Sequence, residues 1–297
     1  MNHRNDAPVV LGFPEYRQPA RRLAERAGLD YADVDIHYFP DGESLVRLPE
    51  RLPERVIIYR SLDDANHKLV ELELAAATAL QLGANRLILA VPYLCYMRQD
   101  AAFHPGEAVS QRIIGQWLAR HFDTLITVDP HLHRTARLQD AVPVRRAVAL
   151  SAAPVLADWL ETHTDRPLLI GPDEESAQWV SAIAAPYGLE YGVARKRRLG
   201  DRDVRIELPD RAVEGRHIVL VDDVVSTGYT LAETARQLTA RGTVSISVLV
   251  THALFVGDAL ARLHAAGIGS VWSTDSLLHP SNRVHLDALL AEALVEE

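Results

Sequence analysis

The chain has 297 residues, 48% of them apolar and 24% charged, with a formal net charge of −9, which is room for two globular domains with ample cores. The acidic balance argues against nucleic acid or a membrane surface as partner, and a single cysteine, Cys95, excludes an internal disulfide and points to a reducing compartment. With no signal-peptide pattern at the start and no apolar run of membrane-spanning length, a cytoplasmic location is expected.

Along the chain, short apolar runs alternate with helical periodicity, which predicts an α/β fold with mainly parallel strands. Strands are expected at Val9–Phe13, Val34–Phe39, Val56–Tyr59, Leu87–Val91 and Leu125–Val128. Leu69, Leu72, Ala76, Ala79 and Leu80 share one helical face, and Ile113, Ile114, Trp117 and Leu118 share another. In the second half, strands are expected at Leu168–Ile170, Ile218–Val221 and Val244–Val250. A helix carrying Val155, Leu156, Trp159 and Leu160 opens with Ser151 as its N-cap. Apolar positions 286, 289, 290, 293 and 294 describe a final amphipathic helix. Each half carries a strand that leads into polar residues and then a helix. Two related α/β domains are therefore expected, 1–148 and 149–297, with the last helix able to pack back on the first domain.

The polar segments follow the strands. Phe39-Pro40-Asp41-Gly42-Glu43 is a turn with two carboxylates and an aromatic, and a plain surface turn would read the same way. Val91 to Asp100 leaves the end of an apolar strand, where ligands gather in open α/β sheets. Within it Arg98 offers a fork for phosphate oxygens, and Gln99 an amide for a base edge. His131, just past the strand at 125–128, suits a cation or a phosphate, and equally a structural role. Asp173, Glu174 and Glu175 read either as a metal-ligating Asp beside two odd acids or as the acidic first turn of a helix. Arg195-Lys196-Arg197-Arg198 concentrates positive charge in an acidic chain, as polyphosphate binding needs and as a solvated turn also would.

The most telling segment runs from His217 to Thr230. A continuously apolar strand, Ile218–Val221, ends in Asp222 and Asp223; a loop of Ser226, Thr227, Gly228 and Tyr229 follows, then a helix. Thr230 and Glu233 have the spacing of a capping box. Backbone N–H groups at such a helix start seat a phosphate, and the paired acids suit sugar hydroxyls or Mg²⁺. Together they make a phosphoribosyl site. Response-regulator and hydrolase-like domains also carry a strand, two acids, a loop and a helix.

The hydroxyl loop ending in Gly-x-Thr resembles the phosphoribosyl-pyrophosphate (PRPP) loop of the phosphoribosyltransferases and of ribose-phosphate pyrophosphokinase. The segments at 39–43, 93–100, 129–131 and 251–255, in that order, resemble the pyrophosphokinase family over about residues 10 to 278. The resemblance implies two type I phosphoribosyltransferase-like domains, each a mainly parallel sheet flanked by helices. It implies an Mg²⁺-dependent enzyme that moves the pyrophosphoryl group of ATP to ribose 5-phosphate. Phe39, Asp41, Glu43, Arg98, Gln99, Asp100 and His131 would bind ATP, with His131 and Asp173 also touching the metal. Asp222, Asp223, Ser226, Thr227, Gly228, Tyr229 and Thr230 would bind ribose 5-phosphate. Lys196 and Arg198, in a segment similar to the family's catalytic flexible loop, would be the transition-state cations. Residues 39–43 would reach from a neighbouring subunit, which implies a homo-oligomer. Three departures stand out: Glu174 and Glu175 where pyrophosphate is cradled, Tyr229 where small residues are usual, and Pro130 with a second histidine, His133, in Asp129-Pro130-His131-Leu132-His133-Arg134. A non-catalytic regulatory relative and a PRPP-consuming transferase are the competing readings; the retained Lys196, Arg198, Asp222 and Asp223 favour catalysis.

Overall fold

The computed structural model describes residues 7–132, 134–198 and 204–295, with the side chains of 196–198 and 204–205 outside that description. It divides into two units, one of residues 1–150 and 286–297, the other Ser151–His285.

The first unit is built on β1 (Val9–Gly12), β2 (Asp30–Asp33), β3 (Asp35–Tyr38), β4 (Ser44–Arg47), β5 (Arg55–Tyr59), β6 (Arg86–Ala90), β7 (Thr124–Val128) and β8 (Arg146–Leu150). Six strands form one parallel sheet in the order β2-β1-β5-β6-β7-β8. Its central strands are buried on both faces, so they read as continuous Val, Ile and Leu rather than as alternation. Helices α1 (Arg17–Ala27), α2 (Ala65–Gln81), α3 (Ser110–Leu118) and the short α4 (Leu138–Ala141) complete the crossovers. Strand β3 differs from the sequence expectation. Residues 35–38 leave the sheet to pair antiparallel with β4, so the turn at 39–43 is the tip of a two-stranded hairpin.

The second unit opens with α5 (Ala153–His163), whose first backbone N–H, that of Ala153, donates to Ser151 Oγ at 3.2 Å. It continues through β9 (Leu168–Gly171), α6 (Ala177–Ala184), β10 (Tyr191–Val193), β11 (Arg195–Arg198) and β12 (Val204–Glu207). Then come β13 (His217–Val225), α7 (Tyr229–Ala240), β14 (Ser245–Ala253), α8 (Ala259–Ala265), β15 (Ile268–Thr274) and β16 (Asn282–Val284). The parallel sheet runs β10-β9-β13-β14-β15-β16. Numbered along the chain, the six strands of each sheet follow one order, 2-1-3-4-5-6. In both units an antiparallel hairpin, β3–β4 or β11–β12, is inserted between the second and third of these strands. The duplication is thus one of topology as well as of fold class.

The last helix, α9 (Asp287–Val295), packs on α1 of the first unit. Asp287 accepts from Arg26 at 3.1 Å, and Arg55 and Arg146 each donate to a carbonyl near its end, Leu294 and Ala293, at 3.2 Å.

Candidate functional site

Ligands of open α/β sheets lie beyond the carboxyl ends of the strands where the strand order reverses. In the second unit that point falls between β9 and β13. Strand β13 is longer than its apolar run because β14 continues beside it, with Val224 opposite His252 and Val225 opposite Ala253. Asp222 and Asp223 therefore lie inside the strand and start on opposite faces. Asp223 is buried at 3% exposure and Asp222 is half-buried. Each carboxylate folds back to accept the next backbone N–H, Asp223 N to Asp222 at 3.0 Å and Val224 N to Asp223 at 2.7 Å. Burial pushes Asp222 well above the ordinary carboxylate range, and the charges of Asp223 and Asp173 push it further. Three carboxylates thus share one small region.

Asp173 arrives from β9. Gly171 ends that strand because a Cβ there would sit 2.2 Å from Ser176 Oγ. The chain then turns sharply: Asp173 caps a 3₁₀ turn, Glu174–Ser176, by accepting from Glu175 N at 3.2 Å, and α6 follows. The two odd acids sit in the first turn of this helical segment, where the dipole favours them. Glu174 reaches toward Arg195 at 3.9 Å, the first residue of the cationic hairpin. The side chains of Lys196 and Arg198 lie outside the described residues; their backbone forms β11, paired to β12.

The loop after β13 differs from the expected capping box. Helix α7 starts at Tyr229, its N-cap is Gly228 at φ 74°, and no side chain caps it. Thr230 lies in the first turn, where its carbonyl accepts from Thr234 Oγ1 at 2.8 Å, and Glu233 turns to Arg236 and Gln237. The loop is held from its carbonyl side instead. Phe255 N donates to Val225 O and Val256 N to Ser226 O, both at 2.9 Å. A helix start without a side-chain cap suits an anion that supplies the missing acceptor.

In the first unit, the hairpin tip is exposed: Phe39 is 41% accessible, and Asp41 and Glu43 lie at the surface, where Glu43 N donates to Asp41 Oδ1 at 3.2 Å. Arg98 is exposed, whereas Gln99 donates its amide to Ala101 O at 3.0 Å. Asp100 points inward, its carboxylate accepting from Arg134 Nη1 at 2.7 Å and Arg134 N at 3.2 Å. Burial acts to raise its pKa, but these hydrogen bonds outweigh it and hold Asp100 below the ordinary range. His131 stands half-buried just past β7, after Asp129, which is strained at φ 38°. Tyr96, also at positive φ, donates to Asn66 of α2 at 2.5 Å.

Residues 9–121 match the N-terminal domain of ribose phosphate pyrophosphokinase, and residues 145–260 match the phosphoribosyl transferase domain. The ribose-phosphate pyrophosphokinase of Methanopyrus kandleri is 36% identical, over 96% of this chain and 98% of its own. Ribose-phosphate pyrophosphokinase 2 of Archaeoglobus fulgidus is 33% identical over 95% and 98%. The chain belongs to the ribose-phosphate pyrophosphokinase family. Its fold is that of phosphoribosylpyrophosphate synthetase from Mycobacterium smegmatis, with a TM-score of 0.82 at 21% identity, over 97% of this chain and 98% of that one. As a ribose-phosphate pyrophosphokinase it takes ATP and ribose 5-phosphate and forms PRPP and AMP.

The pyrophosphokinase's first unit has an equivalent reversal point, between β1 and β5, and side chains fill it. Arg60, 1% exposed, donates to Glu15 at 2.7 Å, to Lys68 O at 3.2 Å and to Glu71, and lies over the Phe13 ring at 3.9 Å. Lys68 and Tyr16 both donate to Asp63 at 2.6 Å. The crevice that offers backbone amides and carboxylates in the second unit is occupied by an ion-pair network in the first. Sequence reasoning missed this network, whose partners lie up to 47 residues apart. It also missed Gln111 of α3, which donates to Met97 O at 3.2 Å and accepts from Thr135 at 2.8 Å. Gln111 and Arg134 tie the segments after β6 and β7 together. Arg134 follows His131 by three residues, so its place beside the site was within reach of the sequence; a lone amide at a helix start gave no signal for Gln111.

Proposed function

We propose that the segment 222–230 holds ribose 5-phosphate, and that the segments at 39–43, 98–100 and 131 hold ATP. The convergence of Asp222 and Asp223 with a helix start that no side chain caps carries this reading. The loop amides would take the 5-phosphate and the carboxylates the ribose hydroxyls. Arg98, exposed beyond β6, would grip the polyphosphate; Asp100 acts through Arg134 by fixing the loop from which His131 projects.

In the reaction the 1-hydroxyl oxygen of ribose 5-phosphate attacks the β-phosphorus of ATP. The bond from that phosphorus to the α-phosphate bridging oxygen breaks, AMP leaves, and the hydroxyl proton is released. Lys196 and Arg198 would stabilise the charge that spreads over the transferring group, more in the transition state than before it.

Mg²⁺ fits the donor set. Among the described residues no three His, Cys, Asp or Glu side chains are arranged to hold an ion by themselves. Mg²⁺ is commonly held by one or two carboxylates together with substrate phosphates, and Asp173, Asp222 and Asp223 supply carboxylates whose mutual repulsion it would relieve. When bound it would neutralise polyphosphate charge.

A homo-oligomer is the assembly this reading implies. Tyr38, Phe39 and Leu45 on the hairpin and Val70 and Leu74 on α2 are all large apolar side chains left exposed. Gly42, Glu43 and Ser44 line one groove with Val70 and Leu74, a surface suited to another copy of the chain. No described helix is long and apolar enough to cross a membrane; the single cysteine, Cys95, supports our placing the enzyme in a reducing compartment, the cytoplasm.

The test is product analysis with ATP, Mg²⁺ and sugar. Formation of AMP and PRPP only when ribose 5-phosphate is present supports the reading, with loss of both in Asp223→Asn. Undiminished turnover by Asp223→Asn would remove the segment from the sugar site.

A further inference from the structure

Tyr229 occupies a position in the phosphate loop where a small residue is expected, and its ring has a partner. The Arg262 guanidinium of α8 lies 3.8 Å from the ring centroid, although Tyr229 remains 64% exposed. The same guanidinium donates through Nη1 to Thr227 O and through Nη2 to Asp258 Oδ1 at 2.6 Å. Arg262 itself is largely covered, at 14% side-chain exposure. One cation therefore joins the ring, a surface carboxylate and a loop carbonyl.

The carbonyl contact has a geometric consequence. A trans peptide directs its N–H opposite to its C=O. Holding Thr227 O against Arg262 turns the N–H of Gly228 the other way. The bonds from Phe255 and Val256 do the same to the N–H groups of Ser226 and Thr227. Gly228 also has its back to α8, where a Cβ would meet Leu263 at 3.3 Å. The loop is thus pinned along its carbonyl edge by α8 and the chain leading into it, and its amide edge is presented as a set.

We infer that Arg262, held in place by the Tyr229 ring and Asp258, is a positioning residue that orients the loop amides for the 5-phosphate of ribose 5-phosphate. This rests on the assignment of 222–230 to the sugar phosphate. The large residue at 229 becomes intelligible: it limits the guanidinium to the rotamer that reaches Thr227. The guanidinium also adds positive charge behind the phosphate.

Steady-state kinetics and titration with ribose 5-phosphate test the inference on the full-length enzyme. A hydrogen bond to a charged group corresponds to about tenfold or more in affinity, so Arg262→Gln should raise the Kd and KM for ribose 5-phosphate about tenfold while the KM for ATP stays put. An exposed cation–π contact corresponds to about two- to fivefold, which is the rise expected for Tyr229→Ala. Tyr229→Phe keeps the ring against Arg262 and should raise the KM for ribose 5-phosphate less than Tyr229→Ala does. In the Arg262→Gln background, Tyr229→Ala should add nothing. An Arg262→Gln enzyme with the parent's affinity for ribose 5-phosphate overturns the inference. So does an equal rise in both KM values, which a general loss of structure would produce. Asp223→Asn separates the two ideas. If it weakens ribose 5-phosphate while Arg262→Gln does not, only the brace fails; if neither does, the sugar-phosphate assignment fails and takes the brace with it.

Discussion

The network that fills the first unit's reversal point makes a quantitative prediction through Glu71→Ala. Glu71 is 1% exposed and takes hydrogen bonds from Arg60 and from Ser44 Oγ at 2.8 Å, and Tyr38 also bonds to it. Breaking a buried ion pair by deleting one partner costs about 3–5 kcal/mol, because the surviving charge stays buried. Arg60 keeps Glu15 at 2.7 Å, so the cost should fall at the lower end, about 3 kcal/mol. For a unit of this size each kcal/mol moves Tm by about 2–4 °C, giving a fall of about 6–12 °C. Scanning calorimetry should assign that fall to one of two transitions. The change also frees the hairpin, because Ser44 and Tyr38 lie on either side of its tip. The KM for ATP should rise with that for ribose 5-phosphate unchanged. The pH dependence follows from the sign of the shift. Burial acts to raise the Glu71 pKa, but hydrogen bonds from Arg60 and Ser44 outweigh it and hold it below the ordinary range. The ionised form is thus favoured by folding. Its contribution is complete above the unfolded pKa of about 4.3 and is lost as pH falls through the lower native value. The stability gap between parent and Glu71→Gln should therefore close at acid pH. A Glu71→Ala protein that loses under about 1 kcal/mol would show that the pair is not the support described here.

Three other outcomes are expected. Lys196→Ala should lower kcat by about a hundredfold or more, the worth of a transition-state charge donor, while the Kd for ribose 5-phosphate is unchanged; a mutant retaining most of its turnover would refute that role. Asp100→Ala should raise the KM for ATP about tenfold, because two hydrogen bonds to Arg134 are lost and the loop carrying His131 is released. Substrate kinetics would read this directly, and an unchanged KM would contradict it. Cys95 is buried, and burial pushes its thiol up to about 12, so iodoacetamide should leave the native enzyme unlabelled at neutral pH and label it fully in denaturant.

How far the sequence could be read depended on whether the cause was local. Strands β5, β6, β7, β9 and β13 were visible because burial on both faces demands unbroken Val, Ile and Leu. Edge elements were not: β2 is Asp-Tyr-Ala-Asp and β16 is Asn-Arg-Val, which carry no apolar run. The residues 34–39 looked like a sheet strand because alternation marks any strand, and only pairing with β4 shows that they form a hairpin. Thr230 and Glu233 matched a capping spacing, yet the helix begins at Tyr229 because the loop's carbonyls are fixed by the chain after β14, some thirty residues on. Asp222 and Asp223 were legible as a site because two adjacent acids inside an apolar strand have no place in a core. The Arg60 network was not, since Glu15, Arg60 and Glu71 are unremarkable until the fold brings Arg60, just past β5, beside Lys68 and Glu71 of α2. Repeated topology explains the rest: each unit has the same crevice, and only the structure tells which of the two is plugged.

That difference between the units leads to a crystal structure of the enzyme soaked with ribose 5-phosphate. The 5-phosphate should lie within hydrogen-bond reach of the backbone N–H groups at 227–230, with ribose hydroxyls on Asp222 or Asp223. A sugar phosphate bound instead against Arg60 and Lys68, or anywhere away from β13, would contradict the assignment.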